Sequence, residues 1–92
     1  MNRILVIDDE EIIRNSLARL LDREGYRVDT AGTLAEADER LAHQRYALAL
    51  CDLRLPDGEG TDLLIRADEL ALPVVIMTSY ASVRSAVDAM KQ

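Results

Sequence analysis

The residues most able to do chemistry in this chain stand directly behind short apolar runs. Asp8 and Asp9 follow Ile4-Leu5-Val6-Ile7, Asp52 follows the run Ala47 to Cys51, and Thr78 and Ser79 follow Val74 to Met77. Three carboxylates brought together repel one another and raise each other's pKa unless a cation joins them. The fitting cation is hard and oxygen-seeking. Magnesium keeps most of its waters and accepts one or two carboxylates together with phosphate oxygens. A carboxylate beside it can act as a nucleophile towards phosphorus and form an aspartyl phosphate. A hydroxyl such as that of Thr78 suits a hydrogen bond to a transferred phosphoryl oxygen. Zinc has no ligand set here, because His43 and Cys51 are each the sole residue of their type.

These groups meet only if the runs before them lie side by side. Each run is short and nearly uniformly apolar, which suits strands buried on both faces of a parallel sheet. A weaker segment, Tyr26 to Thr30, alternates and reads as an edge strand. Helical patterns fill the intervals. Ile12, Ile13, Leu17, Leu20 and Leu21 form one apolar stripe, and Gly25 stands where a left-handed cap ends that helix. "TLAEADERLA" opens with a capping box of Thr33 and Glu36 and has Leu34, Ala37 and Leu41 on its apolar face. "TDLLIRADEL" predicts a third helix after the turn "LPDGEG", and Pro73 requires Leu72 to be extended. "SVRSAVDAMKQ" predicts a fourth, with Ser82 as cap and Val83, Ala86, Val87 and Met90 on one face. The order β-α-β-α-β-α-β-α predicts an α/β fold, an open parallel sheet with helices on both faces and right-handed crossovers. Ligands of such sheets bind outside the carboxyl ends of the strands, where the strand order reverses. That is the rim to which all three runs deliver their polar groups. Without a repeat or linker, residues 1–92 read as one domain.

In these motifs the chain resembles the receiver domain of two-component response regulators. The acidic pair of "ILVIDDEE", the aspartate of "CDLRLPDGEG" and the hydroxyl of "VVIMTSYAS" stand in that family's order and register. "MTSYASVRSAVDAMKQ" is most similar to receivers of enhancer-binding transcriptional activators of the nitrogen-regulator type. The resemblance implies a flavodoxin-like, three-layer fold with strand order 2-1-3-4. It makes Asp52 the phosphoacceptor. It has Asp9 bind Mg2+ directly, Asp8 largely through water, and Arg54 through its backbone carbonyl. Thr78 would contact the phosphoryl group. The donor it implies is a phosphohistidine on a sensor histidine kinase. The outcome it implies is a change of conformation passed to a downstream output domain or protein acting on transcription, rather than enzymatic turnover.

The sequence departs from the family at its end. The 92 residues end at "AVDAMKQ", so a fifth strand and fifth helix are expected to be absent and the family's lysine and switch aromatic to have no counterpart; Lys91 falls on the expected fourth helix and would not replace the former. A C-terminally truncated receiver is therefore expected, with slow or absent phosphotransfer. Val74 to Met77 would form an exposed edge that favours a homodimer or domain-swapped oligomer. Two further readings exist. A phosphatase of the haloacid-dehalogenase type also uses an aspartate after a parallel strand with magnesium. It needs a second acid two residues on, where this chain has Arg54. A receiver-like protein-binding adaptor without phosphorylation is the other.

Composition bounds the remainder. The chain has 92 residues, a formal net charge of -6, and 49% hydrophobic but only 3% aromatic residues, so Leu, Ile, Val and Ala must build the core. Such an acidic chain without a basic cluster argues against nucleic acid and anionic membranes as direct partners. With no apolar stretch of membrane-spanning length, no signal-peptide pattern and a lone Cys51, a soluble cytoplasmic protein is expected. Glu10 and Glu11 suit the start of a helix, Asp57-Gly58 a turn, Cys51 a buried apolar position and His43 a solvated helix face.

Overall fold

The structure is a computed structural model and describes residues 2–77. The chain runs β1 (Arg3–Ile7), α1 (Glu11–Arg23), β2 (Arg27–Ala31), α2 (Leu34–His43), β3 (Leu48–Asp52), the short strands β4 (Arg54–Leu55) and β5 (Gly58–Glu59), a 3-10 turn (Gly60–Asp62), α3 (Leu63–Glu69) and β6 (Val74–Met77). β2, β1, β3 and β6 form one parallel sheet in that order. Counting the strands of this sheet alone, the order is 2-1-3-4, as expected of the receiver fold. The fourth helix expected after Ser82 lies outside the described residues, as do Thr78 and Ser79.

Uniformly apolar strands follow from burial on both faces. Leu5, Ile7, Ala49 and Cys51 pack with Ala37 and Leu41 of α2 and Leu63 and Ala67 of α3. Ile4, Val6, Leu48 and Leu50 face the other way, onto Leu17 and Leu21 of α1. Each fully buried Leu, Ile or Val contributes about 1.5–3 kcal/mol of transfer free energy, so among the described residues aliphatic side chains build the core by number, with Tyr26 and Tyr46 packed against it. β2 sits at the edge and keeps polar positions such as Arg27 and Asp29.

Local details differ from expectation in three places. The apolar stripe of α1 is narrower: Leu17 and Leu21 are buried, whereas Ile12 is 82% and Ile13 40% exposed. Ile12 is five residues before Leu17, about 140° round the helix, and both isoleucines lie in the first turn, at the carboxyl rim of the sheet. Thr33 caps α2 by accepting from the Glu36 N–H at 3.1 Å, but Glu36 does not close the capping box. Its carboxylate accepts instead from the Gly32 N–H at 3.0 Å. The turn "LPDGEG" and the Arg54 before it form a small antiparallel ladder, Arg54 opposite Glu59 and Leu55 opposite Gly58.

Gly25 ends α1 as expected. At φ 92° it lets its own N–H donate to Asp22 O and the Tyr26 N–H to Leu21 O, at 3.0 and 3.2 Å.

Candidate functional site

Register brings the acids together. Ile7 of β1 lies beside Cys51 of β3, so the next residues along, Asp8 and Asp52, leave adjacent strands side by side. β2 flanks β1 on one side and β3 on the other, so the chain departs in opposite directions here, which opens a crevice at the strand ends. One carboxylate oxygen from each of Asp8, Asp9 and Asp52 can be chosen so that all lie within 4.8 Å of one another. Asp8 is buried, Asp52 half-buried and Asp9 exposed, so the cluster opens to solvent through Asp9.

The backbone around Asp8 is tied down on several sides. Its N–H donates to Ala31 O at 3.0 Å, extending the β1–β2 ladder past the last paired residue. One carboxylate oxygen accepts from the Glu10 N–H at 2.9 Å, and the Arg14 guanidinium donates to the Asp8 carbonyl at 2.8 Å. Burial pushes the Asp8 carboxyl above its ordinary range; the Glu10 N–H pulls it back, and the charges of Asp52, Asp9 and Glu10 raise it further. A group held in this way is short of positive charge, and an all-oxygen donor set suits a hard divalent cation. The residues fit such an ion. Glu10 caps α1 without a side-chain bond and Glu11 lies in the first turn, so both serve the helix dipole.

Asp52 is positioned by the loop that leaves β3. The Gly60 N–H donates to Leu53 O at 2.7 Å, and a Cβ at Gly60 would stand 2.3 Å from the Asp52 carbonyl oxygen and 3.2 Å from the Cys51 sulfur. Only glycine lets the loop close so tightly over the end of β3. The Arg54 N–H approaches an Asp52 carboxylate oxygen at 3.4 Å, a long contact. Cys51 is buried and its thiol is pushed up to about 12, first by burial and then by the charges of Asp52 and Asp8. It is therefore protonated at neutral pH and no nucleophile. His43 is exposed at the C-terminal end of α2, with Nδ1 2.9 Å from Glu39 O.

The sequence-predicted residues Asp8, Asp9 and Asp52 thus converge, with Arg54 on the strand that leaves Asp52, while Thr78 lies outside the described residues. Sequence reasoning passed over Arg14 and Gly60. Asp57, expected to serve only a turn, accepts the Leu34 and Ala35 N–H groups of α2 at 2.9 and 3.0 Å. No local signal in "LPDGEG" points to a helix that begins 23 residues earlier.

Among the described residues no helix is long and apolar enough to cross a membrane. The family model of the response regulator receiver domain matches residues 4–92. The alginate biosynthesis transcriptional regulatory protein AlgB of Pseudomonas syringae pv. tomato is 40% identical over 91 residues, 97% of this chain and 20% of the relative. The chain thus spans about one fifth of that regulator's length. A CheY-like receiver domain protein from Methanospirillum hungatei is similar in structure, with a TM-score of 0.79 at 33% identity over 97% of this chain and 75% of the other. The beryllofluoride-activated NtrC4 receiver domain dimer aligns with a TM-score of 0.75 at 35% identity, over 99% of this chain and 77% of the other. Both the convergent acids and these likenesses lead to one assignment: the chain belongs to the response regulator receiver domain family.

Proposed function

We propose that this receiver domain accepts a phosphoryl group on Asp52 from a phosphohistidine of a sensor histidine kinase and signals by a change of conformation. The observation that carries this reading is the meeting of Asp8, Asp9 and Asp52 oxygens within 4.8 Å at the carboxyl ends of two adjacent strands. Asp8, Asp9, Asp52 and the Arg54 carbonyl would hold Mg2+, which when bound supplies positive charge beside the transferred oxygens. An Asp52 carboxylate oxygen attacks phosphorus, the P–N bond of the donor breaks with its electron pair kept by nitrogen, and the ring, protonated on its other nitrogen, leaves as neutral imidazole. Asp8 and Asp9 serve as ligands, and their charge is what the cation must offset. Thr78 follows the apolar run of β6 in the sequence and would contact the phosphoryl group.

The phosphorylated state is a covalent signal rather than a step of turnover, since no acid stands two residues after Asp52 to activate water. The output is assigned to transcription because AlgB is a transcriptional regulatory protein, and the cytoplasm as its place rests on membership of the receiver family. Pairing with a second copy belongs to the same reading, since the activated NtrC4 receiver was solved as a dimer. Incubation with a small phosphodonor should give a Mg2+-dependent, alkali-labile phosphoprotein and Mg2+-dependent beryllofluoride binding, both abolished by Asp52→Asn. Phosphorylation that survives Asp52→Asn, or that needs no divalent cation, would overturn the proposal.

A further inference from the structure

The geometry points to Asp57 as a positioning residue for the metal site: it anchors the β4–β5 hairpin, which contains Arg54, to the N-terminus of α2. The inference rests on the magnesium reading above, in which the Arg54 carbonyl is a ligand. Asp57 stands at the hairpin tip between Pro56 and Gly58. An exposed carboxylate ordinarily moves with solvent. Here each oxygen has its own donor, Leu34 N–H at 2.9 Å and Ala35 N–H at 3.0 Å. These are among the first-turn N–H groups that a helix cannot satisfy by itself. The anchored carboxyl is held below its ordinary range by these bonds.

The contact is more than one pair of hydrogen bonds. A Cβ on Gly58 would lie 2.7 Å from Leu34 Cδ1, so the hairpin rests directly on the first residue of α2. Leu55, on the same hairpin, is buried in the cluster that includes Ala37 and Leu41 of α2. The far end is fixed to the acceptor strand. There Gly60 closes against Leu53 and Asp52, while the Glu59 N–H donates to Asp62 of the 3-10 turn at 2.9 Å. The segment from Asp52 to Gly60 is therefore clamped at both ends, on β3 by Gly60 and on α2 by Asp57. Releasing the α2 end leaves the Arg54 carbonyl free to move relative to Asp52. Conversely, an ion that gathers Asp52 and Arg54 tightens the hairpin and, through Asp57, the Leu34 and Ala35 amides.

A control is available in the same helix. Thr33 caps α2 independently, through its bond to the Glu36 N–H. Thr33→Ala thus removes a cap without removing the anchor. The test is a MgCl2 titration of the full chain by calorimetry for wild type, Asp57→Ala, Asp57→Asn and Thr33→Ala. Unfolding in urea and amide exchange at Leu34 and Ala35 are measured in parallel. Asp57→Ala should lower Mg2+ affinity by about tenfold, at the low end for groups that orient metal ligands from behind. Asp57→Asn loses the same charge but keeps one acceptor oxygen, and should recover part of that loss. Thr33→Ala should be less stable yet bind Mg2+ as wild type does. Exchange at Leu34 and Ala35 should slow on Mg2+ addition in wild type and not in Asp57→Ala. If Asp57→Ala does not fold, Asp57→Asn against Thr33→Ala carries the comparison. Equal Mg2+ affinity in wild type and the Asp57 variants would overturn this inference alone, as would an equal loss in Thr33→Ala. Wild type that binds no Mg2+ would overturn it together with the proposed function.

Discussion

Asp8, just past the end of β1, and Asp29, in the middle of the adjacent β2, meet opposite surroundings. Asp29, half-buried on β2, has the Arg3 guanidinium at 3.3 Å and receives the Tyr46 hydroxyl at 2.7 Å. Asp8, 4% exposed, receives one N–H and faces the like charges of Asp52, Asp9 and Glu10. The first arrangement stabilises the fold without help. The second costs stability and is relieved only by added positive charge. Chains keep such deficits where a ligand or reaction uses them, so the difference separates a structural carboxylate from a functional one, although both are polar residues in or beside neighbouring strands.

The largest effect that sharpens this contrast is on stability in the presence of metal. At a hundred times its Kd, Mg2+ should raise unfolding free energy by about 2.7 kcal/mol through mass action. Urea unfolding with and without MgCl2 measures it, and a double variant Asp8→Asn/Asp9→Asn should show none of it. Next in size is the metal-free penalty itself. Asp8→Asn keeps an oxygen for the Glu10 N–H while removing the charge. It should stabilise the metal-free protein by about 1.5 kcal/mol, the scale of the desolvation penalty of one buried polar group. The sign with pH comes from the raised carboxyl of Asp8. In the folded state it binds its proton more tightly than the ordinary value of 3.8 allows in the unfolded chain. The penalty is therefore absent below 3.8, grows as pH rises through the folded value, and is complete above it. The gap between Asp8→Asn and wild type should widen over that window and then stay constant. A gap that narrows as pH rises would break the comparison.

The acids were legible in the sequence because each stands at the end of a run whose burial on both faces removes any alternation, as in Ile4 to Ile7 and Leu48 to Cys51. Strand ends in a parallel sheet share one rim, so position after a run translates directly into position in space. Helix patterns were less exact. The stripe through Ile12 and Ile13 was read from periodicity, but packing depends on where the sheet stops as well as on which face an isoleucine takes. What remained hidden depends on contacts distant in the chain. The partners of Asp57 lie in α2, and Gly60 is required by the carbonyl of Asp52 rather than by its own turn. Glu36 chose the Gly32 N–H over that of Thr33, a choice between adjacent donors that spacing alone does not resolve.

The smaller effects lie on the Asp29 side and test whether that carboxylate is held by its hydroxyl or by its cation. The Tyr46 hydroxyl is a short donor at 2.7 Å; burial, together with the bond and charge of Asp29, keeps its proton in place far above the usual phenol range. Tyr46→Phe should cost about 1 kcal/mol, the net worth of one ordinary intramolecular hydrogen bond. Arg3 reaches both Asp29 oxygens from a single nitrogen, at 3.4 and 3.3 Å, with the pair partly open to solvent. That geometry lacks the paired parallel bonds that make arginine contacts strong. Arg3→Met should therefore cost only about 0.5 kcal/mol, within the range of exposed ion pairs, and less as salt is added. Urea unfolding of the two variants at low and high ionic strength separates the contributions. A salt-sensitive loss in Arg3→Met exceeding that of Tyr46→Phe would mean that Asp29, too, depends chiefly on positive charge. The contrast with Asp8, whose Arg14 neighbour bonds the backbone carbonyl, would then rest on a cation placed at the carboxylate itself.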